Sequence, residues 1–129
     1  MPARILIADD YPDNRELLRL MLEMDGYQIR EARDGRECVM MAQEEPPDLA
    51  LIDLSMPELD GWSVLRELRS DSRTRSIICV ALTAFASDKD RRRTLAAGFD
   101  AHVSKPFHSK DLLETIKQLL TRGQTDHGG

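Results

Sequence analysis

The sequence has no long hydrophobic run, few cysteines and no excess of positive charge, and each absence excludes a class of protein. No stretch approaches the roughly 20 consecutive apolar residues of a membrane span, and residues 1–4 do not resemble the start of a secretory segment. The two cysteines, Cys38 and Cys79, lack metal-ligand spacing. A net charge of −5 disfavours binding to nucleic acid, which depends on basic residues. We therefore expect a cytoplasmic protein with reduced thiols that binds neither membrane nor nucleic acid.

The composition indicates one folded domain. Of the 129 residues, 41% are hydrophobic and 32% are charged, which is enough apolar material for a single core. We assign residues 1–122 to this domain. Residues 123–129 contain no apolar side chain, so we expect them to form a disordered tail.

Short apolar runs alternate with longer segments of helical periodicity from Arg4 onward. Four runs are almost continuously apolar, as in strands covered on both faces, whereas residues 27–31 alternate like an edge strand. The predicted strands lie near residues 4–8, 27–31, 48–53, 77–82 and 100–104. This pattern predicts an α/β fold with a doubly wound five-stranded parallel sheet and five helices. We adopt the strand order 2-1-3-4-5, a common order for such sheets.

The predicted helices are delimited by residues that start or stop helical hydrogen bonding. Gly26 ends the first helix, Pro46 stops the second, and Asp60 is the expected N-cap of the third. The fourth, at about residues 87–97, is weakly apolar, and the fifth has a clear core face. The first helix has an apolar stripe formed by Leu17, Leu18, Met21 and Leu22.

Four predicted strands end at polar residues suited to binding a cation and a phosphate group together. The first ends at Asp9 and Asp10, the third at Asp53, the fourth at Thr83 and the fifth at Lys105. The carboxyl ends of parallel strands meet at one edge of a sheet, so these side chains should share a pocket. Three carboxylates beside an ammonium group favour a divalent cation next to a phosphoryl group.

Asp53 is the expected nucleophile, because it ends a central apolar strand and a carboxylate can form an acyl phosphate. Lys105 would pair with phosphate oxygens as a point charge, and Thr83 would donate a hydroxyl hydrogen bond. Gly61 predicts a shaped loop after Asp53, since glycine is free to adopt a positive φ. Whether the Lys105-Pro106 bond is cis or trans is left open by the sequence.

These motifs, in this order, resemble the receiver domain of response regulators, which are CheY-like proteins with a flavodoxin-like fold. The chain looks similar to the single-domain DivK type and to receivers of hybrid kinases, and the resemblance covers about residues 4–120. The matching motifs are Asp9-Asp10, Asp53 within Asp-Leu-Ser-Met-Pro-Glu-Leu-Asp-Gly, Thr83-Ala84 and Lys105-Pro106-Phe107.

The resemblance implies that Asp53 accepts a phosphoryl group from a phosphohistidine of a sensor histidine kinase or a histidine phosphotransfer protein. It also implies Mg²⁺, with Mn²⁺ as an alternative, bound by Asp10, Asp53 and the backbone carbonyl of Ser55, with Asp9 as a direct or water-mediated ligand. Such a chain is a phosphoacceptor that promotes its own phosphorylation and dephosphorylation, not an enzyme. Ser55 and Phe85 occupy positions that set the phosphoryl lifetime in the family, and apolar Phe85 predicts slow loss.

The family's switch is also implied by the resemblance. Thr83 would move toward the phosphoryl group, and an aromatic residue three positions before the lysine would turn inward. This sequence has His102 at that position, whose ring could turn similarly and whose titration could make the output sensitive to pH. The expected output is a contact with a downstream protein through the fourth helix, fifth strand and fifth helix, which carry Arg91, Arg92, His102 and Lys110.

Three alternatives stay open at this point. The chain could be a receiver module of a hybrid histidine kinase or of a larger regulator. A phosphatase similar to haloacid dehalogenases also forms an aspartyl phosphate, but it needs a carboxylate two residues after the nucleophile, where this sequence has Ser55. A flavodoxin-like cofactor binder needs a phosphate loop after the first strand, where Asp9 and Asp10 would repel an anion.

Overall fold

The computed structural model describes residues 2–84 and 87–128, with side chains through residue 122. Its five strands are β1 (Arg4–Ala8), β2 (Gln28–Ala32), β3 (Leu49–Asp53), β4 (Ile78–Thr83) and β5 (Ala101–Ser104). They are parallel and follow the order β2-β1-β3-β4-β5, so the predicted doubly wound sheet is confirmed. Each strand begins and ends within one residue of its predicted position, and β2 lies at an edge.

Helices cover both faces of the sheet and create two apolar cores. The helices are α1 (Pro12–Met24), α2 (Gly35–Glu44), α3 (Gly61–Ser70), α4 (Asp88–Ala97) and α5 (Ser109–Gly128). Successive strand residues point to opposite faces. Leu6 and Ala8 of β1 therefore belong to the core beneath α2 and α3, and Ile5 and Ile7 belong to the core beneath α1 and α5.

The start of α3 and the end of α1 follow the expected signals. Asp60 caps α3 by accepting a hydrogen bond from the Ser63 N–H at 2.8 Å. Gly26 follows α1 in a left-handed conformation, with a φ of 92°. The helix α5 extends to Gly128. The disordered tail over residues 123–129 stays a prediction.

The core face of α1 is narrower than predicted. Leu18 and Leu22 are fully buried, as residues four apart on one helix face should be. Leu17 is 51% exposed, because it lies about 100° around the helix axis from Leu18. The predicted stripe thus included a residue from the flank of the helix.

The strand register brings the polar strand ends to one edge of the sheet. The strands β1 and β3 end side by side, since Ala8 pairs with Ile52, and β4 and β5 do likewise, since Thr83 pairs with Ser104. The residues at these ends share the carboxyl edge, where the strand order reverses between β1 and β3. Within residues 2–84 and 87–128, no helix is long and apolar enough to cross a membrane.

Candidate functional site

Asp9 is the buried member of the acidic pair that follows β1. One of its carboxylate oxygens accepts a hydrogen bond from the Tyr11 N–H at 2.9 Å, and the other lies 3.3 Å from Nζ of Lys105. The Asp9 backbone is also held, because its N–H donates to the Ala32 carbonyl and its own carbonyl accepts from the Arg15 guanidinium. Asp10 is exposed, so the adjacent carboxylates occupy different environments.

Asp53 lies at the end of β3 and is only 4% exposed. One carboxylate oxygen accepts a hydrogen bond from the Ser55 N–H at 2.9 Å, and the other accepts from Nζ of Lys105 at 2.9 Å. Lys105 follows β5, and its backbone N–H donates to the Thr83 carbonyl at 2.8 Å. The Lys105-Pro106 bond is cis.

The charged groups of the site alter one another's ionisation. Burial raises the pKa of Asp9 above its ordinary value of 3.8; repulsion from Asp53 adds to the rise, and the contacts with Tyr11 and Lys105 oppose it. Burial lowers the pKa of Lys105, but its hydrogen bonds and attraction to Asp53 and Asp9 outweigh burial and raise that pKa above 10.5. Lys105 is therefore a cation at neutral pH.

The acidic cluster formed by Asp9, Asp10 and Asp53 fits a divalent cation. One oxygen from each carboxylate lies within 4.8 Å of the other two. Lys105 offsets one of the three negative charges, which leaves two in excess. Oxygen ligands with this charge suit a small hard cation, which would also relieve the repulsion between the carboxylates.

A cavity of about 150 Å³ is lined in part by Ser55, Thr83 and His102. Trp62, the second residue of α3, forms another part of its wall, and the Arg93 guanidinium lies 4.9 Å from the Trp62 ring centroid. Thr83 and His102 thus line the same cavity as Leu54 and Ser55, the two residues that follow Asp53 in the chain.

His102 is half-buried on β5 and connects that strand to α4. Its Nδ1 atom lies 3.2 Å from the Thr94 hydroxyl oxygen, and the same hydroxyl lies 2.7 Å from the Arg91 carbonyl. A carbonyl can only accept, so the Thr94 proton is directed to Arg91. Nδ1 of His102 then donates to the Thr94 oxygen, which assigns the proton to Nδ1.

The loop of residues 54–60, between β3 and α3, departs from the prediction for Gly61. The residue with a left-handed backbone is Glu58, with a φ of 68°. Gly61 is required for a different reason, because a Cβ there would lie 2.6 Å from the Asp53 carbonyl oxygen and 2.8 Å from the Leu54 Cα. The first residue of α3 therefore packs directly on the backbone that follows β3.

Sequence reasoning missed two residues that support the site. Arg15 contacts a backbone carbonyl, a type of partner that no sequence pattern distinguishes. Thr94 is buried in α4, a helix with few apolar residues. A threonine in such a helix was the available sequence signal for a polar contact with β5. Phe85, predicted to slow the loss of the phosphoryl group, lies outside the described residues.

The two cysteines are buried free thiols rather than part of the site. Burial raises the pKa of Cys38 and the pKa of Cys79 to about 12. Both thiols are therefore protonated at neutral pH and act as core residues.

The sequence matches a known protein family. Residues 5–117 match the family model of the response regulator receiver domain. The chain belongs to this family. Receiver domains are the phosphoacceptors of two-component signalling, and response regulators interact with histidine kinases and with downstream targets.

The receiver domain has similar relatives among single-domain regulators and among receivers attached to kinases. It is 38% identical over 120 residues to the polar-differentiation response regulator DivK of Brucella anthropi, covering 93% of this chain and 98% of that protein. A CheY-like response regulator receiver domain protein from Methanospirillum hungatei JF-1 has a TM-score of 0.89 and 29% identity, covering 98% of this chain and 99% of that one. The receiver domain of a sensor histidine kinase from Pseudomonas aeruginosa PAO1 has a TM-score of 0.86 and 32% identity, covering 94% and 99%; that structure has a magnesium ion coordinated in its active site cleft.

Proposed function

We propose that this receiver accepts a phosphoryl group on Asp53 from a phosphohistidine of a sensor histidine kinase or a histidine phosphotransfer protein. The supporting observation is that both oxygens of this nearly buried carboxylate are held, one by the Ser55 N–H and one by Nζ of Lys105. Phosphoryl transfer depends mainly on positioning and on neutralising charge. The fixed Asp53 carboxylate beside the Lys105 ammonium group meets both requirements.

In the transfer step, a carboxylate oxygen of Asp53 forms a bond to phosphorus while the phosphorus–nitrogen bond of the phosphohistidine breaks. The imidazole leaves with the electron pair of that bond and takes up a proton. Lys105, already 2.9 Å from Asp53, is close enough to pair with the oxygens of the new phosphoryl group. The chain would promote its own phosphorylation and dephosphorylation in this way.

Asp10, Asp53 and the Ser55 carbonyl would hold Mg²⁺, with Asp9 as a direct or water-mediated ligand and Mn²⁺ as an alternative ion. The close carboxylates and the magnesium ion in the Pseudomonas receiver support this assignment. The ion would neutralise negative charge on the phosphoryl oxygens.

Thr83 and His102 would convert phosphorylation into a change of surface. The Thr83 hydroxyl would donate to the phosphoryl group, and His102 would turn within the cavity that both residues line. The contact between His102 and Thr94 would carry this movement to α4. A downstream protein would then bind the surface formed by α4, β5 and α5, where Arg91 and Lys110 are among the exposed residues.

The receiver domain would comprise residues 1–122 and would act in the cytoplasm, a reducing compartment that suits its two buried free thiols. Either a single-domain regulator or a receiver of a larger protein could use this site.

Intact-mass measurement after incubation with acetyl phosphate and Mg²⁺ tests the phosphoacceptor. The wild-type chain should gain one phosphoryl group, and Asp53→Asn should gain none, because an amide is a poor nucleophile. If both proteins gained the group, or if the wild type gained none even from a phosphorylated histidine kinase, Asp53 would not be the acceptor.

The same samples test the switch and the phosphoryl lifetime. Phosphorylation should shift the NMR signals of the His102 ring and of α4 amides, and it should leave the signals of Asp53→Asn unchanged. Unmoved His102 signals in the phosphoprotein would remove this residue from the switch.

A half-life of seconds for the phosphoryl group on Asp53 would contradict the slow loss expected from Phe85.

A further inference from the structure

The loop of residues 54–60 carries Ser55, so its path determines where the Ser55 carbonyl lies. The loop is fixed at its start, because the Leu54 N–H donates to the Leu82 carbonyl at 3.1 Å and the Gly61 N–H donates to the Leu54 carbonyl at 3.2 Å. Met56 is buried in the core. The far end is held by a contact with the first residue of α2.

That contact is between Gly35 and Leu59. A Cβ placed on Gly35 would lie 1.8 Å from the carbonyl oxygen of Leu59, 2.7 Å from its carbonyl carbon and 2.9 Å from its Cβ. The two nearest atoms belong to the backbone, so a side-chain rotation cannot relieve the overlap. Either the loop or the start of α2 would have to move by more than roughly 1 Å, because non-bonded atoms do not approach so closely.

The start of α2 is anchored and cannot easily provide this movement. The Asp34 side chain caps the helix by accepting a hydrogen bond from the Glu37 N–H at 2.8 Å. The carbonyl of Ala32, the last residue of β2, accepts a hydrogen bond from the Asp9 N–H. Gly35 thus stands between the segment that holds Asp9 and the loop that holds Ser55.

We propose that Gly35 is a positioning residue for the metal site, where the missing side chain lets the loop of residues 54–60 bring the Ser55 carbonyl to the carboxylates. This inference rests on the proposed function, in which that carbonyl is a ligand. The opposite side of the loop is closed as well, because Gly61 packs on the backbone of Asp53 and Leu54. Displacing Leu59 therefore moves the backbone near Ser55 rather than bending the loop freely into solvent.

A Mg²⁺ titration of Gly35→Ala tests this role without phosphorylation. Trp62 is the only tryptophan and lines the same cavity as Ser55, so its fluorescence can report binding. The dissociation constant should rise at least about 10-fold in Gly35→Ala, because displacements near 1 Å are costly in preorganised sites. In metal-free protein, the backbone amide signals of residues 54–59 should shift in the same variant.

Gly98→Ala is the matched control for a general loss of stability. Gly98 has a φ of 116°, so alanine strains the backbone there, but the nearest atom to its Cβ is a Leu65 side-chain carbon at 3.6 Å. This variant should keep the wild-type affinity for Mg²⁺. Equal dissociation constants for wild type and Gly35→Ala would overturn the inference, and so would equal weakening in both variants.

A second background keeps the test decisive if Gly35→Ala does not fold. Leu59→Gly keeps the carbonyl that meets position 35, but glycine can adopt backbone conformations that turn this carbonyl away. Adding Gly35→Ala in this background should therefore weaken Mg²⁺ binding much less than it does in the wild type. A full loss in this background would contradict the steric explanation. Failure of the proposed function looks different, because the wild-type protein itself would then bind no Mg²⁺.

Discussion

Asp9 and Asp10 are adjacent in sequence, but their charges affect the free energy of unfolding differently. Asp9 is fully buried beside Asp53, and Asp10 is exposed. A buried carboxylate loses hydration and is repelled by a second carboxylate, so its charge opposes folding even with Lys105 nearby. We conclude that the unliganded site lowers the stability of the fold, and that Asp9 is a main contributor.

Asp9→Asn should therefore stabilise the metal-free protein at pH 7. Asparagine keeps an oxygen for the Tyr11 N–H and removes the buried charge. The free energy of unfolding should rise by about 0.5–2 kcal/mol, the usual size of a stabilising substitution, as measured by urea denaturation in a chelating buffer. Asp10→Asn is the control, because an exposed carboxylate gains little from losing its charge.

The pH dependence of this effect follows from the raised pKa of Asp9. A carboxyl group with a folded pKa above 3.8 contributes most to stability below pH 3.8, and that contribution is lost as the pH rises through the folded pKa. The advantage of Asp9→Asn should therefore be present at pH 7 and disappear below pH 3.8. A constant difference across this range would assign the effect to packing rather than to charge.

Arg69 joins elements that lie far apart in the chain. Its guanidinium extends from the end of α3 and donates to the carbonyls of Ile77 before β4 and Gly98 after α4, at 2.6 and 3.1 Å. It also bonds Asp100, whose carboxylate accepts from the Cys79 N–H at 2.8 Å. This junction fixes the ends of α3 and α4 at the edge of the sheet opposite the acidic cluster.

Arg69→Ala should cost about 2 kcal/mol in the free energy of unfolding, because several partly buried acceptors lose a charged donor at once. Urea denaturation of Arg66→Ala provides the comparison. Arg66 is on the same helix, and within the described residues its guanidinium donates one hydrogen bond, to the Ser63 hydroxyl at 3.1 Å. A similar loss in both variants would show that the junction contributes little.

The acidic cluster exists only when the domain is folded, because its members come from β1 and β3 and their loops. Binding of Mg²⁺ should therefore be linked to folding of the molecule as a whole. At a Mg²⁺ concentration about 100 times the dissociation constant, the free energy of unfolding should increase by about 2.7 kcal/mol. Calorimetric unfolding with and without Mg²⁺ measures this increase.

Asp10→Asn is the control for this linkage. The variant keeps the fold but loses one exposed carboxylate of the cluster, so Mg²⁺ should stabilise it much less. An equal effect of Mg²⁺ on both proteins would indicate a general salt effect rather than occupation of the site.

The order of elements and the membership of the site follow from local sequence signals. Apolar runs are long enough to mark strands, and residues such as Asp60 and Gly26 terminate helices by chemistry that acts over a few positions. Because parallel strands share one carboxyl edge, the polar residues after the strands could be grouped before any distance was known.

Tertiary contacts decided what those signals could not distinguish. Which of two adjacent carboxylates is buried, and which loop residue adopts a positive φ, depend on neighbours that are distant in sequence. Gly35 shows the same limit, since its need for a hydrogen in place of a side chain comes from the backbone of Leu59. Local patterns record the chemistry of a residue and its near neighbours, whereas close approach between separate segments is determined only when the chain packs.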